Sequence, residues 1–489
     1  RVRRPERQEG EGDEDEEAGR ASQGLGCFVL VVSWSTMSHA VRCQAHLQAH
    51  RAARPSLRCL GREVQVQGRR RLGGGALLER PGPGLASRWR GASLFGGDLF
   101  GARLPGLTVA RGLATKQRTS QSIARSDIIT GSPQNNVTDT IFDKLGTNLH
   151  QRKDHPLGII KEAIFEYFEQ SDPGKFKLFE DLYPVVTTAQ NFDELLIPAD
   201  HVSRSDNDTY YVDGETVLRC HTSAHQAELL REKHKNFLVI GDVYRRDTID
   251  ATHYPVFHQM EGVKIFEPSD WEGSGLGEVE YVREDLKRTL EGLAKHLFGD
   301  VECRWVDAYF PFTDPSIELE IFFNDEWLEV LGCGVMQQQI LDGNYGEGKR
   351  AWAFGLGIER LAMILFDIPD IRLFWSEDER FLKQFKAGDL SSKFKSFSKF
   401  PPCNKDVAFW ISEDFTENNL CETVRGIAGD IVEEVKLIDE FANPKTGKTS
   451  HCYRIVYRSM ERSLTDEEIN SVQDKVRSAL EDELKVELR

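Results

Sequence analysis

The chain has 489 residues, 39% apolar and 29% charged, with a formal net charge of −17, a balance ordinary for a globular protein of two or three domains. Nine cysteines stand at 27, 43, 59, 220, 303, 333, 403, 421 and 452 with no C-x-x-C pair. That spacing argues against a zinc cluster or a disulfide framework and fits a reducing compartment.

Residues 1–36 contain no Met and hold the acidic run from Glu9 to Glu17, so Met37 is the first available start and 1–36 read as an extension derived from an untranslated region. From Met37 to Thr115 there are thirteen Arg, no Lys and three acids, Glu63, Glu79 and Asp98, among Gly, Ala, Leu and Ser. This is the composition of an organellar transit peptide, which with its linker is placed at 37–125; a disordered RNA-binding tail is the alternative. Residues 1–115 carry 18 Arg against 11 acids, a net of +7 that leaves −24 for 116–489. A body so acidic must meet any nucleic acid through local basic patches. Val29 to Val32 is too short to span a bilayer and no other stretch qualifies, so a soluble protein with no membrane partner is expected.

Lys116 to Asn136 reads as a linker. Pro156 then opens an amphipathic helix over Leu157–Gln170, with Ile159, Ile160, Ile164, Phe165 and Phe168 on one stripe, and Phe179–Val186 follows as an extended piece containing Pro184. Asn191–Leu195 and Ile197–His201 read as turn and loop. The strand Val217–His221 runs into Thr222, Ser223, Ala224, His225 and Gln226, where Ser or Thr should cap a helix and Ser223 and Gln226 should share a face. Two β-rich runs, Phe237–Tyr244 and Val256–Phe266, flank a polar segment and make a long antiparallel hairpin. On its returning strand Phe257, Gln259 and Glu261 share a face, and as a core face that would bury two polar groups at about 1 to 3 kcal/mol each. Such a face wants a polar ligand. A glycine-rich loop, 267–278, and a helix, Val279–Phe298, come next. Strand, turn and strand then cover Arg304–Phe323, with Phe310 and Phe312 two apart on one wall. Glu329 stands among apolar neighbours on the strand Trp327–Gly334, and Gly355 and Gly357 let backbone come close to a ligand where a strand turns into the helix carrying Arg360.

Tyr244-Arg245-Arg246-Asp247, a loop, His253-x-x-x-Phe257 and the continuation FHQMEG resemble motif 2 of the class II aminoacyl-tRNA synthetases, and of the phenylalanyl-tRNA synthetases in particular, in their single-chain organellar, plant-type form. The helix and proline strand at 157–186 resemble motif 1, although an ordinary core helix fits as well. Gly355-Leu356-Gly357-Ile358-Glu359-Arg360 resembles motif 3. After a hinge at 386–398, the order β-α-β-β-α-β over 399–489, with a capping box at Thr465–Glu468, resembles a ferredoxin-like anticodon-binding domain. The implied fold is α+β: a class II antiparallel sheet flanked by helices at 137–385, then the ferredoxin-like domain.

The resemblance implies activation of L-phenylalanine by ATP, with Mg²⁺, and transfer to tRNA(Phe) in the mitochondrial matrix or chloroplast stroma. Arg245 would hold the α-phosphate and His253 the outer phosphates, while Arg360 and Phe257 sandwich adenine. His221, Ser223 and Gln226, with Ala224 and His225 beside them, would hold the amino acid's polar end together with Gln259 and Glu261. Thr252, Tyr254 and Met260 complete the hairpin's contacts, Phe310, Phe312, Ala353 and Phe354 shape the ring pocket, and Glu329 is the candidate Mg²⁺ ligand. Lys445, Lys448, Arg454, Arg458 and Arg462 would meet RNA. Asp247 stands where many members of the family carry Glu, and no segment is left for editing modules, which implies a monomer without proofreading. A class II relative activating another amino acid and a non-catalytic RNA-binding adaptor are the rival readings.

Overall fold

The computed structural model describes residues 123–396, 400–413 and 415–489; the extension at 1–36 and nearly all of the transit peptide and linker at 37–125 lie outside the described residues. Pro156 fixes φ at the first helical position and the His155 side chain accepts the Leu157 N–H (3.3 Å), so helix α1 runs Pro156–Ser171. The extended piece after it is two strands in different sheets. β1 (Lys177–Phe179) joins the main sheet, while β2 (Val185–Thr187) pairs with β3 (Thr216–Leu218), because Pro184 stands between them and spends its carbonyl on the Arg219 N–H.

Seven strands build the main sheet: β1, β4 (Asn236–Tyr244), β5 (Val256–Phe266), β6 (Glu302–Phe310), β7 (Thr313–Phe323), β8 (Glu326–Met336) and β9 (Arg350–Gly357). Their order is β1-β4-β5-β9-β8-β7-β6, antiparallel throughout except β1 beside β4. β4 and β5 are the expected hairpin. A six-residue helix, α2 (Gln226–Arg231), leads into β4, and α3 (Glu278–Phe298) and α4 (Ile358–Phe366) lie with α1 on one face. That face is the main core: α3 contributes Val282, Leu286, Leu290, Leu293 and Leu297 at helical spacing. The loop before α3 contains a short helix, Pro268–Trp271.

The C-terminal part has β10 (Cys403–Trp410), α5 (Glu417–Ala428), β11 (Val432–Ala442), β12 (Thr449–Tyr457), α6 (Asp466–Leu484) and β13 (Glu487–Leu488), with sheet order β11-β12-β10-β13. This is the ferredoxin-like arrangement the sequence implies. Only half of the expected capping box forms. Thr465 accepts the Glu468 N–H, but the Glu468 carboxylate turns to Arg462. The loop between β4 and β5 meets this domain directly. Ile249, on that loop, is buried within the C-terminal apolar cluster, its carbonyl accepts the Val435 N–H (3.0 Å), and Arg425 donates to the Asp247 carbonyl (2.9 Å).

Beneath the hairpin lies a buried ion pair. Arg219 donates to the Asp242 carboxylate (2.6 Å), the Asp242 carbonyl (2.7 Å) and the Leu182 carbonyl (3.0 Å), and the Tyr244 hydroxyl also bonds Asp242. A Cβ on Gly241 would sit 2.1 Å from the guanidinium, so glycine there makes the pair possible. Burial alone would raise the Asp242 pKa; the Arg219 charge and the Tyr244 hydroxyl bring it below the usual carboxylate value. The pair's contribution is therefore present at neutral pH and lost on acidification through the Asp242 pKa. Asp242→Ala leaves a buried guanidinium unpaired and should cost about 3 to 5 kcal/mol in urea denaturation at pH 7.

Candidate functional site

Side chains alternate across a strand, so β5 and β9 each present two different faces. Phe257, Gln259, Glu261 and Val263 share one face of β5. Opposite the last three, in register, stand Gly357, Gly355 and Ala353 of β9, and β8 continues the rows with Gly332 and Gly334. Small residues side by side leave a trough in the sheet. At one end lie Phe310 and Phe312, their rings stacked 5.9 Å apart at 3°. A Cβ on Gly332 would come within 2.7 Å of the Phe310 ring, so that glycine lets the ring lie against the sheet. The pair stacks on itself because Phe312 falls in the tight turn before β7, where two extended residues on one wall were expected.

The opposite face is core. Phe354 packs there on Phe168 (5.7 Å, 6°) and Trp352, and Met260 lies in the same cluster. Neither reaches the trough, which corrects their placement in the ring and substrate pockets; Ala353 is on the trough side.

The polar end of the trough gathers side chains from three elements. Glu261 is fully buried and accepts from Gln226 Nε2 (3.2 Å), and nearby stands a second donor, the Ser223 hydroxyl, which has no hydrogen-bond partner among the described residues. Burial pushes the Glu261 carboxyl up to about 7 against the lowering effect of those two donors. Both polar atoms of the buried Gln259 amide have no partner among the described residues. A buried amide left in that state costs about 1 to 3 kcal/mol, and it is the sign of a missing ligand. His221 is buried beside them; burial and then the Arg245 charge lower its pKa to about 3, so its imidazole is neutral. The capping expected of Thr222 and Ser223 does not occur: His221 and His225 hold the two cap positions, without side-chain cap bonds. His225 instead takes a hydrogen bond from Arg219 (3.0 Å), and Ala224 packs with Val186 and Val217, so both are structural.

Beyond Phe257 opens a cavity of about 170 Å³, lined among others by Thr252, Phe257, Leu328, Arg360 and Met363. Arg360 lines this cavity and Arg245 lines another with Cys220 and Asp247, and each is oriented through Nε by a backbone carbonyl: Arg245 by Cys220 (2.8 Å) and Arg360 by Glu329 (3.1 Å). The Arg245 guanidinium also lies 5.2 Å from the Phe257 ring centre. A cavity lined by a flat ring and a guanidinium suits a nucleotide base, and a second guanidinium beside that ring suits its phosphates. His253 does not line this cavity. Its Nδ1 bonds Asp250 (2.6 Å), and burial, which would lower its pKa, is outweighed by Asp250 and Asp247, which raise it. Tyr254 is also elsewhere, stacked on Trp375 (5.7 Å) and donating to Asp430 (2.6 Å).

Glu329 fits poorly as the centre of a metal site. No group of three or more His, Cys, Asp or Glu able to hold a metal exists among the described residues, and Arg360 is the group that feels the Glu329 charge. In the C-terminal domain four of the five expected RNA-binding cations are paired: Lys448 with Glu487, Arg454 with Asp406, Arg458 with Glu433 and Arg462 with Glu468; Lys445 is exposed. On the outer sheet face a single row reads Phe441, Ser450, Trp410, Glu487, and the Arg489 guanidinium stands 5.4 Å from Trp410 and 5.3 Å from Phe441. Sequence reading missed this shelf, as it missed Arg219 and Asp242. A charge inside each apolar run was the available signal for the latter two.

The chain matches the family described as tRNA synthetases class II core domain (F) over residues 140–385 and the Ferredoxin-fold anticodon binding domain over 398–489. It is 67% identical over 369 residues to the phenylalanine–tRNA ligase, chloroplastic/mitochondrial, of Arabidopsis thaliana, covering 75% of this chain and 86% of that one. It is 52% identical to the mitochondrial phenylalanine–tRNA ligase of Mus musculus (72% and 86% covered) and 49% identical to that of Dictyostelium discoideum (76% and 93%).

The Glu261 carboxyl bears on stability directly. Its pKa in the fold lies above its ordinary 4.5, so ionising it costs the folded state as pH rises from there to about 7. Glu261→Gln removes that cost and should stabilise the protein at pH 8 by up to roughly 3 kcal/mol, read by denaturant unfolding, with little effect at pH 4.

Proposed function

Since the chain belongs to the phenylalanine–tRNA ligases of the class II synthetases, we propose how its site carries out their reaction. It activates L-phenylalanine with ATP and transfers the phenylalanyl group to tRNA(Phe) for translation in organelles, the mitochondrial matrix or chloroplast stroma. The phenylalanine carboxylate attacks the α-phosphorus of ATP and pyrophosphate leaves; the terminal ribose hydroxyl of the tRNA then attacks the acyl carbon, breaking the acyl–phosphate bond so that AMP leaves and the hydroxyl proton is lost. The nucleophile in each step belongs to a substrate, so the protein positions and stabilises charge.

Glu261, with Gln226 and Ser223, receives the substrate ammonium, and Gln259 fills its empty hydrogen bonds on the amino acid or the ribose. Phe310, Phe312 and Ala353 bound the ring. Arg245 meets the α-phosphate and the attacking carboxylate, and Phe257 and Arg360 hold adenine between them. His221 stays neutral beside the amino-acid end. Thr252 borders the base, while His253 reaches the outer phosphates only by leaving Asp250. A magnesium ion would be held largely through the substrate phosphates and would offset their charge. The catalytic domain is assigned to 137–385 and the anticodon-binding domain to 399–489. A working monomer is part of this reading, and a stable dimer in sedimentation would overturn that part.

The buried, partnerless Gln259 amide beside the raised Glu261 carboxyl is the observation that carries this reading. ATP–pyrophosphate exchange with purified protein should depend on phenylalanine and not on tyrosine or histidine; exchange driven by another amino acid instead would overturn it. An ammonium binds the ionised form of Glu261, and acid removes that form. Affinity for phenylalanine should therefore fall below pH of about 7, approaching about tenfold per unit.

For tRNA, the Trp410, Phe441 and Arg489 shelf offers what an unpaired base needs: aromatic faces and a guanidinium plane. Of the paired cations, Lys448 and Arg454 can trade exposed carboxylate partners for phosphate, since exposed pairs are worth little, and Lys445 is exposed already; Arg458 and Arg462 have partly buried partners to leave. Trp410→Ala should weaken tRNA binding by about 1 to 3 kcal/mol in a filter-binding titration, while amino-acid activation, which needs no tRNA, keeps its rate.

A further inference from the structure

The two sides of the proposed adenine site are each next in sequence to one member of a single buried pair. Phe257 precedes His258 on β5, and Arg360 follows Glu359 on α4. Glu359 is 2% exposed and spends both carboxylate oxygens on His258, accepting its backbone N–H at 2.8 Å and its ring Nδ1–H at 2.7 Å. The β5–β9 ladder ends at Gln259 opposite Gly357, so the carboxylate takes over one residue beyond the last strand partner. His258 is fully buried, its ring 5.2 Å from His150 and 6.1 Å from Trp375. Alternation turns His258 toward the core when Phe257 faces the cavity. On α4, successive residues differ by about 100°, so Glu359 reaches β5 when Arg360 faces the cavity.

We propose that Glu359, acting through His258, is a positioning residue of the nucleotide site: it ties the start of α4 to β5 and so fixes the separation and tilt between the Arg360 guanidinium and the Phe257 ring. Glu359 also borders the cavity, but both its carboxylate oxygens are spent on His258, so it acts on the nucleotide through that pair. The inference rests on the reading of Phe257 and Arg360 as the adenine contacts. The bond joins the start of α4 to β5 one residue beyond the last ladder pair, Gln259 opposite Gly357. Loss of it lets one side of the site drift, and a drift near 1 Å can cost on the order of a hundredfold in a positioned reaction.

The test uses the full chain in phenylalanine-dependent ATP–pyrophosphate exchange, with KM measured separately for ATP and phenylalanine. Glu359→Ala should raise KM for ATP by about ten- to a hundredfold, with KM for phenylalanine within about twofold. Glu359→Gln retains one acceptor oxygen for the His258 N–H and should recover most of the ATP affinity. Glu359→Asp, one methylene short, should fall between. A purely structural role would lower the active fraction or the melting temperature and leave both KM values alone, and that result overturns the proposal, as does a parallel rise in both. Should Glu359→Ala fail to fold, the Gln and Asp variants decide on the same split. Wild-type protein lacking phenylalanine-dependent exchange would instead defeat the underlying functional reading.

Discussion

Two neighbouring strands, Val256–Phe266 and Arg350–Gly357, sort their side chains by size and polarity onto opposite faces of one sheet. On one side Trp352, Phe354, Leu356 and Met260 fill the space under α1 and α4. On the other, Ala353, Gly355 and Gly357 stand opposite Val263, Glu261 and Gln259. The large residues supply the burial that holds the sheet; the small ones withhold it, and a depression results where polar groups survive without protein partners. Every residue proposed to meet phenylalanine depends on that division of labour.

The site is bought with buried charge. Glu261 and the Arg219–Asp242 pair all lie in or beside the hairpin, and each would be cheaper as an apolar residue of the same volume. They differ in how the cost is met. Arg219 is satisfied internally, by a carboxylate and two carbonyls, and serves as framework. Glu261 has one neutral hydrogen-bond donor, Gln226, and one oxygen left over, which marks it as the group proposed to receive a cation. Framework and binding group can be told apart by that criterion without reference to any relative.

Much of this was legible in the chain. The β5 boundaries match the apolar run from Val256 to Phe266, and the order of elements after Cys403 follows from alternating periods and turn residues. Period-two reasoning also put Gln259 and Glu261 on one face. What it could not supply was the register between strands. Phe354 looks like a pocket residue until β9 is paired with β5 and its ring proves to lie against Phe168. Tyr254 and His253 were misjudged for a different reason: their partners, Asp430 and Asp250, come from a docked domain and from a loop conformation that no local pattern encodes. The basic residues of the C-terminal domain read as a bare patch because the carboxylates that meet them lie outside 445–462, on β10, β11, β13 and α6.

Ile249 belongs to one domain by chain position and to the other by packing. The loop that carries it begins at Arg245 and ends just before Phe257, so the segment bearing the proposed phosphate and adenine contacts is anchored in an apolar interior built by residues after Val407. The C-terminal domain thus also anchors the loop that leads to the proposed nucleotide contacts. Severing it would expose a hydrophobic residue at the tip of the hairpin and set that loop adrift, so the shortest working fragment of this chain is longer than the boundaries of its catalytic fold imply.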